Sequence, residues 1–436
     1  MPAPTESAVI AKLTRRLIPF LFLLYIVAYV DRINVGFAKL QMSAQLHFSE
    51  QVYGLAAGIF FAGYFFFQIP SNLILKQVGA RRWIALLMVV WGVISASMSM
   101  VTTARSFYVL RFALGIAEAG FFPGIILYLR SWFPATARAR TVALFMTAAA
   151  LAGVVGGPIS GAILSMEHTG RLAGWQWLFL LEGIPAILLG AVVCFRLPDN
   201  LNDATWLTEE DRTWLSQTLQ RENEANPARA TSSDSQTRQP NWWDVFLNPS
   251  VLLLSLIYFG LNTSSYGISL WLPSMVKSFS RAGNFTVGVI SALPYIVAAI
   301  GMVLVGRHSD YTGERRWHVA VPAIAGAAAF LAAAYSTSTV VVVAALSVAV
   351  LGTFAMVGPF WAMPTSMLTA ATASAGIALI NSIGNLGGFA GPYILGLTRT
   401  SSGNFKSGLL VLSAAMILCA CLALLVRTPP IASPEK

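Results

Sequence analysis

Residues 17–39 read LIPFLFLLYIVAYVDRINVGFAK, an apolar run with Asp31 and Arg32 side by side toward its end. At ~1.5 Å per residue, a helix of this length crosses the ~30 Å hydrocarbon core of a bilayer. A charged side chain at the centre of such a helix costs roughly 2.5–3.5 kcal/mol even on the milder scales, so two together need a reason.

Comparable blocks recur along the chain. Twelve are predicted, at 17–39, 52–75, 83–101, 106–129, 141–165, 174–195, 250–276, 286–306, 317–336, 339–363, 373–398 and 407–426. The 436 residues are 56% hydrophobic and only 11% charged, whereas soluble domains carry about a quarter charged residues. The expected class is therefore an all-α membrane protein of twelve transmembrane helices. The first block is too long for a cleavable leader and runs on into charged sequence, so none is expected. Cys194, Cys419 and Cys421 fall within predicted spans and read as buried small apolar residues,. The four histidines form no cluster with metal-ligand spacing.

The net charge of +10 raises the prospect of nucleic acid, but its distribution excludes it. An even number of spans puts both termini on one side. Of the 28 Lys and Arg, 19 then fall on the side of the termini and seven on the other, while Arg32 and Arg111 lie within spans. This is the positive-inside bias, so both termini are expected in the cytoplasm.

A long polar segment divides the pattern. The expected organisation is a six-helix bundle over 1–197, a cytoplasmic linker over 198–248 and a second six-helix bundle over 249–436. Within the linker, Thr208 with Glu209, Glu210 and Asp211 predicts a capped helix start,. Trp206, Leu207, Trp214, Leu215 and Leu219 would form an apolar stripe lying on the membrane surface. The following NEANPARATSSDSQTRQP, 223–240, is expected to be flexible,. The bundles also echo each other. GARRW begins at Gly79 and GERRW at Gly313, and Gly157-Pro158 matches Gly391-Pro392; both offsets are 234 residues. A duplicated unit is the natural source, and transporters built from such repeats place the substrate near the midplane between them.

Five charges lie well inside predicted spans: Asp31, Arg32, Arg111, Glu118 and Glu182. Asp31 falls about 10 Å below the outer end of its helix, Arg111 about 8 Å and Glu118 about 18 Å below theirs. Arg111 and Glu118 are two turns apart and share a face, so the four side chains from helices 1 and 4 are expected to share one cavity. Arg32 and Arg111 have fixed charge and a planar fork suited to an anionic carboxylate. Asp31 and Glu118 can take up and release protons, which suits coupling. Glu182, beside Gly183 and near Pro185, reads instead as packing near the outer interface.

These residues fall in familiar company. GARRW, RFALGIAEAGFFPG, GVVGGPISG and GRHSDYTGERR resemble signature stretches of the major facilitator superfamily, across all twelve spans. VDRINVGFA, IPSNLILKQVGARRW, GWQWLFLLEGIPA and YGISLWLP are similar to its anion:cation symporter family of organic-acid permeases. The resemblance implies a proton-coupled symporter in the inner membrane that imports a small organic anion such as tartrate, a sugar acid or an aromatic acid. It implies Asp31 and Glu118 as coupling carboxylates and Arg32 and Arg111 as substrate ligands. It adds Tyr29 and Tyr64 from the first half, and Trp361 and Asn381 from the second. Asp310, Arg315 and Arg316 match a gating motif that can pair across the cytoplasmic side, with Arg81 and Arg82 as its partial first-half copy. A monomer with no cofactor beyond protons is expected, and no enzyme: there is no metal cluster, Ser/His arrangement or nucleotide loop. The Gly153, Gly157, Pro158 and Gly161 pattern of helix 5 supports a rival, an exporter or exchanger on the same fold.

Overall fold

The computed structural model describes residues 6–166, 169–224, 247–367 and 370–426, and among these there is no strand. Fifteen α-helices follow in order: α1 (Glu6–Gln45), α2 (Glu50–Val78), α3 (Ala80–Ser97), α4 (Ala104–Glu118), α5 (Phe121–Trp132), α6 (Ala135–Leu164), α7 (Gly174–Arg196), α8 (Glu209–Glu224), α9 (Pro249–Ser280), α10 (Asn284–Thr312), α11 (Arg316–Tyr335), α12 (Thr339–Ala355), α13 (Val357–Met367), α14 (Ala370–Ser402) and α15 (Lys406–Leu425). Eleven segments are long and apolar enough to cross a membrane, with α4–α5 counted as one span and α12–α13 as another. The 33-residue α14 is long enough but falls outside that set. Asn381, Asn385 and its run of glycines dilute its hydropathy. It nonetheless packs between α2 and α9, away from the lipid-facing surface.

Large apolar side chains cover the outer faces, among them Phe66, Leu73, Leu188, Leu304 and Val340, all exposed. Outward apolar faces with every helical N–H and C=O bonded internally are the arrangement that hydrocarbon requires. Cys419 is buried as expected, but Cys194 and Cys421 are exposed on this surface.

The linker helix differs from its expectation. Thr208 and Asp211 cap α8 reciprocally, the Thr208 amide donating to Asp211 at 3.1 Å and the Asp211 amide to the Thr208 hydroxyl at 3.2 Å. Its apolar stripe, however, packs on the protein: Leu207 and Leu215 are buried and Trp206 stacks on Trp132 at 6.2 Å. Ion pairs Lys12–Asp211 and Arg138–Glu222 hold the helix against α1 and α6, so its apolar face is not available to a membrane surface. Burial raises the Asp211 carboxyl, but the bonds from Lys12 and Thr208 outweigh it and hold the group below its ordinary range. The stretch expected to be flexible lies almost wholly outside the described residues.

The first six spans meet the last six along α2–α14, α6–α10 and α1–α9. These contacts repeat at the offset found in the sequence. A Cβ on Gly54 of α2 would sit 2.8 Å from the Pro392 carbonyl oxygen and 2.9 Å from the Gly396 Cα of α14. Gly288 of α10, 234 residues after Gly54, would meet the Gly157 carbonyl oxygen of α6 at 2.2 Å. On the axis itself, Gly36 of α1 abuts Leu270 of α9, again 234 residues on. Only glycine permits backbones this close.

All these junctions lie toward the end where α1 stops and α2 starts, the end that the charge bias assigns to the outside. Polar contacts reinforce it. Glu50 bonds Lys39 at 2.8 Å and Arg399 of α14 at 3.0 Å. Tyr53 donates to the Leu270 carbonyl at 2.6 Å, and the Lys39 ammonium lies 4.9 Å from the Trp271 ring centroid. Gly288→Leu should pry α10 from α6 here. In a cysteine-free background with Ser291→Cys, labelling by a water-soluble maleimide should rise severalfold; unchanged labelling would mean that this contact does not close the end.

Candidate functional site

Asp31 and Arg32 are neighbours on α1, so their side chains leave the helix about 100° apart. That angle sends them to different partners. Arg32 faces α4, where Nε and Nη2 donate to one oxygen of Glu118 at 3.1 and 2.7 Å. Its Nη1 reaches the Tyr266 hydroxyl of α9 at 3.3 Å, and the spacing of that pair is once more 234 residues. The pair therefore sits on the pseudo-twofold axis relating the two sets of helices. Asp31 instead faces the interior of the first six spans, where it accepts from Asn34 at 3.1 Å and from the Ser95 hydroxyl of α3.

Arg111 adopts a third arrangement. Its Nε and Nη2 donate to the carbonyls of Ala56 and Ala57 on α2 at 3.3 and 3.5 Å. Phe60 lies between the two guanidiniums, 5.4 Å from Arg32 and 4.9 Å from Arg111. Cations over aromatic faces gain quadrupole attraction that grows as water is excluded.

Asp31, Arg32, Arg111 and Glu118 are thus brought into one neighbourhood, but not into the single open cavity expected of them. Asp31 and Arg111 are fully buried, and Arg32 and Glu118 are 6% and 1% exposed. Side-chain direction divides them: Arg32 and Glu118 face the seam between the sets, whereas Asp31 and Arg111 point into the first set.

Around Arg32 the seam is aromatic. The Tyr64 ring centroid lies 5.5 Å from the guanidinium. Tyr29 is buried, edge-on to Tyr25 at 6.3 Å. Trp361, half-buried on α13, meets Tyr258 of α9 edge-on at 4.9 Å. Asn381 is half-buried on α14, and among the described residues no hydrogen bond ties it to the Arg32 cluster. Tyr266, absent from the expected set, links Arg32 to the second half, and Tyr258, also absent from it and two turns before Tyr266 on the same helix, stacks on Phe360. Their signal was available: Tyr258, Asn262 and Tyr266 recur every four residues in an apolar run, one face of a helix,.

The expected gating residues bond within their own halves. Arg81 pairs with Asp199 at 3.1 Å, while Arg82 is exposed. Asp310 pairs with Arg315 at 2.7 Å, and Arg316 donates to the Leu424 carbonyl. The described residues hold no bond from these side chains across the seam. The halves are joined instead at the opposite end, through Glu50, Lys39 and Arg399.

Among the described residues, no group of three His, Cys, Asp or Glu is arranged to hold a metal. What the site can do is pair, release and re-pair buried charge at a seam between two helix sets.

Similarity to known proteins agrees with this architecture. The chain is 48% identical to a protein named putative tartrate transporter from Agrobacterium vitis, over 98% of this chain and 93% of that one. It is 40% identical to one named quinolone resistance transporter from Acinetobacter baumannii, over 94% of this chain and 93% of that one. Its fold matches the inward open conformation of the xylose transporter XylE from E. coli, with a TM-score of 0.74 at 15% identity, over 98% of each chain. The Major Facilitator Superfamily model matches residues 21–392. With its helical spans and the repeat that relates them, the chain belongs to the major facilitator superfamily of membrane transporters and is not an enzyme.

Proposed function

We propose that this transporter is a proton-coupled symporter that imports a small hydroxylated carboxylate of the tartrate kind across the inner membrane, acting as a monomer by alternating access. The observation that carries this reading is the buried Arg32–Glu118 pair, in which a protein carboxylate fills a fork suited to a substrate carboxylate,. Protonation neutralises Glu118 and frees Arg32 for the incoming anion. Loss of the proton on the other side restores the pair and expels the substrate.

Energetics favours keeping the two events together. Stripping one partner from a buried ion pair costs about 3–5 kcal/mol, roughly two or more powers of ten against a state with Arg32 left alone. Asp31 contributes a second protonatable group on the same helix, and Arg111 a second fixed cation behind Phe60. Tyr29, Tyr64, Trp361 and Asn381, joined by Tyr258 and Tyr266, offer hydroxyl, indole and amide groups for substrate hydroxyls. Closure at the Lys39–Glu50–Arg399 end fits a state sealed toward the outside, with the Arg81 and Asp310 loops engaging in the opposite state. The name of the Agrobacterium vitis relative supports tartrate as the first substrate to test.

The relative named for quinolone resistance favours a second reading, outward movement of an organic solute on the same machinery. Vesicles with an imposed pH gradient separate the two. Symport predicts tartrate accumulation when the outside is acidic, whereas proton-exchange export predicts depletion.

Glu118→Gln should abolish accumulation driven by the pH gradient while tartrate exchange stays measurable; gradient-driven uptake at the wild-type level would remove Glu118 from coupling. Arg32→Lys keeps the charge but loses the fork, so tartrate affinity, read by calorimetry, should fall about tenfold or more. Arg111→Lys cannot span both the Ala56 and Ala57 carbonyls; it should lower thermal stability in detergent as well as transport, and wild-type values for both would rule out a role for the guanidinium geometry.

A further inference from the structure

We propose that Glu182 and Asp31 form a second proton site, in which the two carboxyls hold one exchangeable proton between them, clasped by Asn34, Ser95 and Ser160. This rests on the proton-coupled reading above and extends it to a residue that the Arg32–Glu118 exchange does not use.

The geometry is specific. Glu182 lies on α7, 6% exposed, and accepts at 2.7 Å from the Ser160 hydroxyl of α6 through one oxygen. The side-chain amide of Asn34 bonds Asp31, and α7 meets α3 where Ser95 bonds Asp31: a Cβ on Gly183, the residue after Glu182, would sit 2.9 Å from the backbone nitrogen of Ala96, the residue after Ser95. Asn34 lies three residues beyond Asp31, so one turn of α1 presents both side chains to α7,. The second oxygens of Asp31 and Glu182 have no hydrogen-bond partner among the described residues, although both are buried. Each carboxyl therefore keeps one oxygen held and one oxygen free for a proton.

Charge counting identifies what is missing. The helices packed on α7 are α1, α3 and α6. They bring Asp31 and Asn34, Ser95, and Ser160, respectively, and no cation within ion-pair distance. Tyr266, on the α9 side of α1, is already a partner of Arg32. Of the two buried guanidiniums nearby, Arg32 is committed to Glu118, and Arg111 donates to backbone carbonyls. Three ionised carboxylates against two guanidiniums would leave a net negative charge on buried groups. Buried carboxylates that lack a cation take up protons instead of remaining charged. When a proton enters, an O–H bond forms on one carboxyl and the pair passes from two negative charges to one. When it leaves to water, the second charge returns. Asp31 directly precedes Arg32 in α1, so the pair's charge sits on the helix that carries the arginine.

The test uses the full-length protein in vesicles with Glu182→Gln and, as the conservative control, Glu182→Asp. The proton-to-tartrate ratio, measured from the pH gradient that just balances a tartrate gradient, should fall by one proton in Glu182→Gln and recover in Glu182→Asp. The acid stimulation of uptake should flatten in the first and return in the second. A wild-type ratio and pH profile in Glu182→Gln would overturn the proposal and leave Glu182 a packing residue. Should that variant not fold, infrared difference spectra after a pH step decide. The wild type should show a protonated-carboxyl band that survives Glu118→Gln and shifts in Glu182→Asp; a band indifferent to Glu182→Asp would equally overturn the pair. Wild-type protein that shows no gradient-driven uptake at all would instead sink the symport reading, which the infrared band does not depend on.

Discussion

A guanidinium removed from water cannot stand alone, and Arg32 is buried. Its burial at 6% exposure obliges α4 to supply Glu118 and α9 to supply Tyr266,. Those two bonds join three helices at one point on the seam between the helix sets. The same charge constraint leaves Arg111 on backbone carbonyls and Asp31 on hydroxyl and amide donors.

The duplicated sequence explains why this point lies at the centre. Arg32 and Tyr266 occupy equivalent positions in the two repeats, as do Gly36 and Leu270. Contacts between equivalent residues can only form at the axis that relates them. One repeat has kept a cation there and the other a hydroxyl, so the axis is symmetric in backbone but not in chemistry. Around it, equivalent glycine junctions at α2–α14 and α6–α10 let the halves approach closely on one side. Backbone contacts without interlocking side chains suit surfaces that must part and rejoin.

The closed end is held by more than glycine. Glu50 is shared between Lys39 and Arg399, which come from α1 and α14, so the cluster spans the seam. At the other end the charged loops satisfy one another locally, as in Asp310–Arg315 and Arg81–Asp199. A motif suited to pairing across the seam is thus at rest when the opposite end is joined.

From sequence alone, span lengths, the repeat and the excess of positive charge on alternate connections were legible, because each depends on residues close together in the chain. The intramembrane charges were legible for the same reason: one unfavourable side chain in an apolar run is a local signal. Partner choice was not. Arg32 finds Glu118 86 residues away and Tyr266 234 residues away, distances bridged only by packing. That is why one shared cavity was expected, where Arg32 and Glu118 face the seam while Asp31 and Arg111 bond within the first set. The α8 stripe was likewise visible as a pattern, but whether it met lipid or protein depended on Lys12 and Trp132 from distant helices. Local sequence determined that this chain crosses a membrane and carries charge inside it. The tertiary structure alone decided which charges neutralise one another, since electrostatic pairing is set by distance in space.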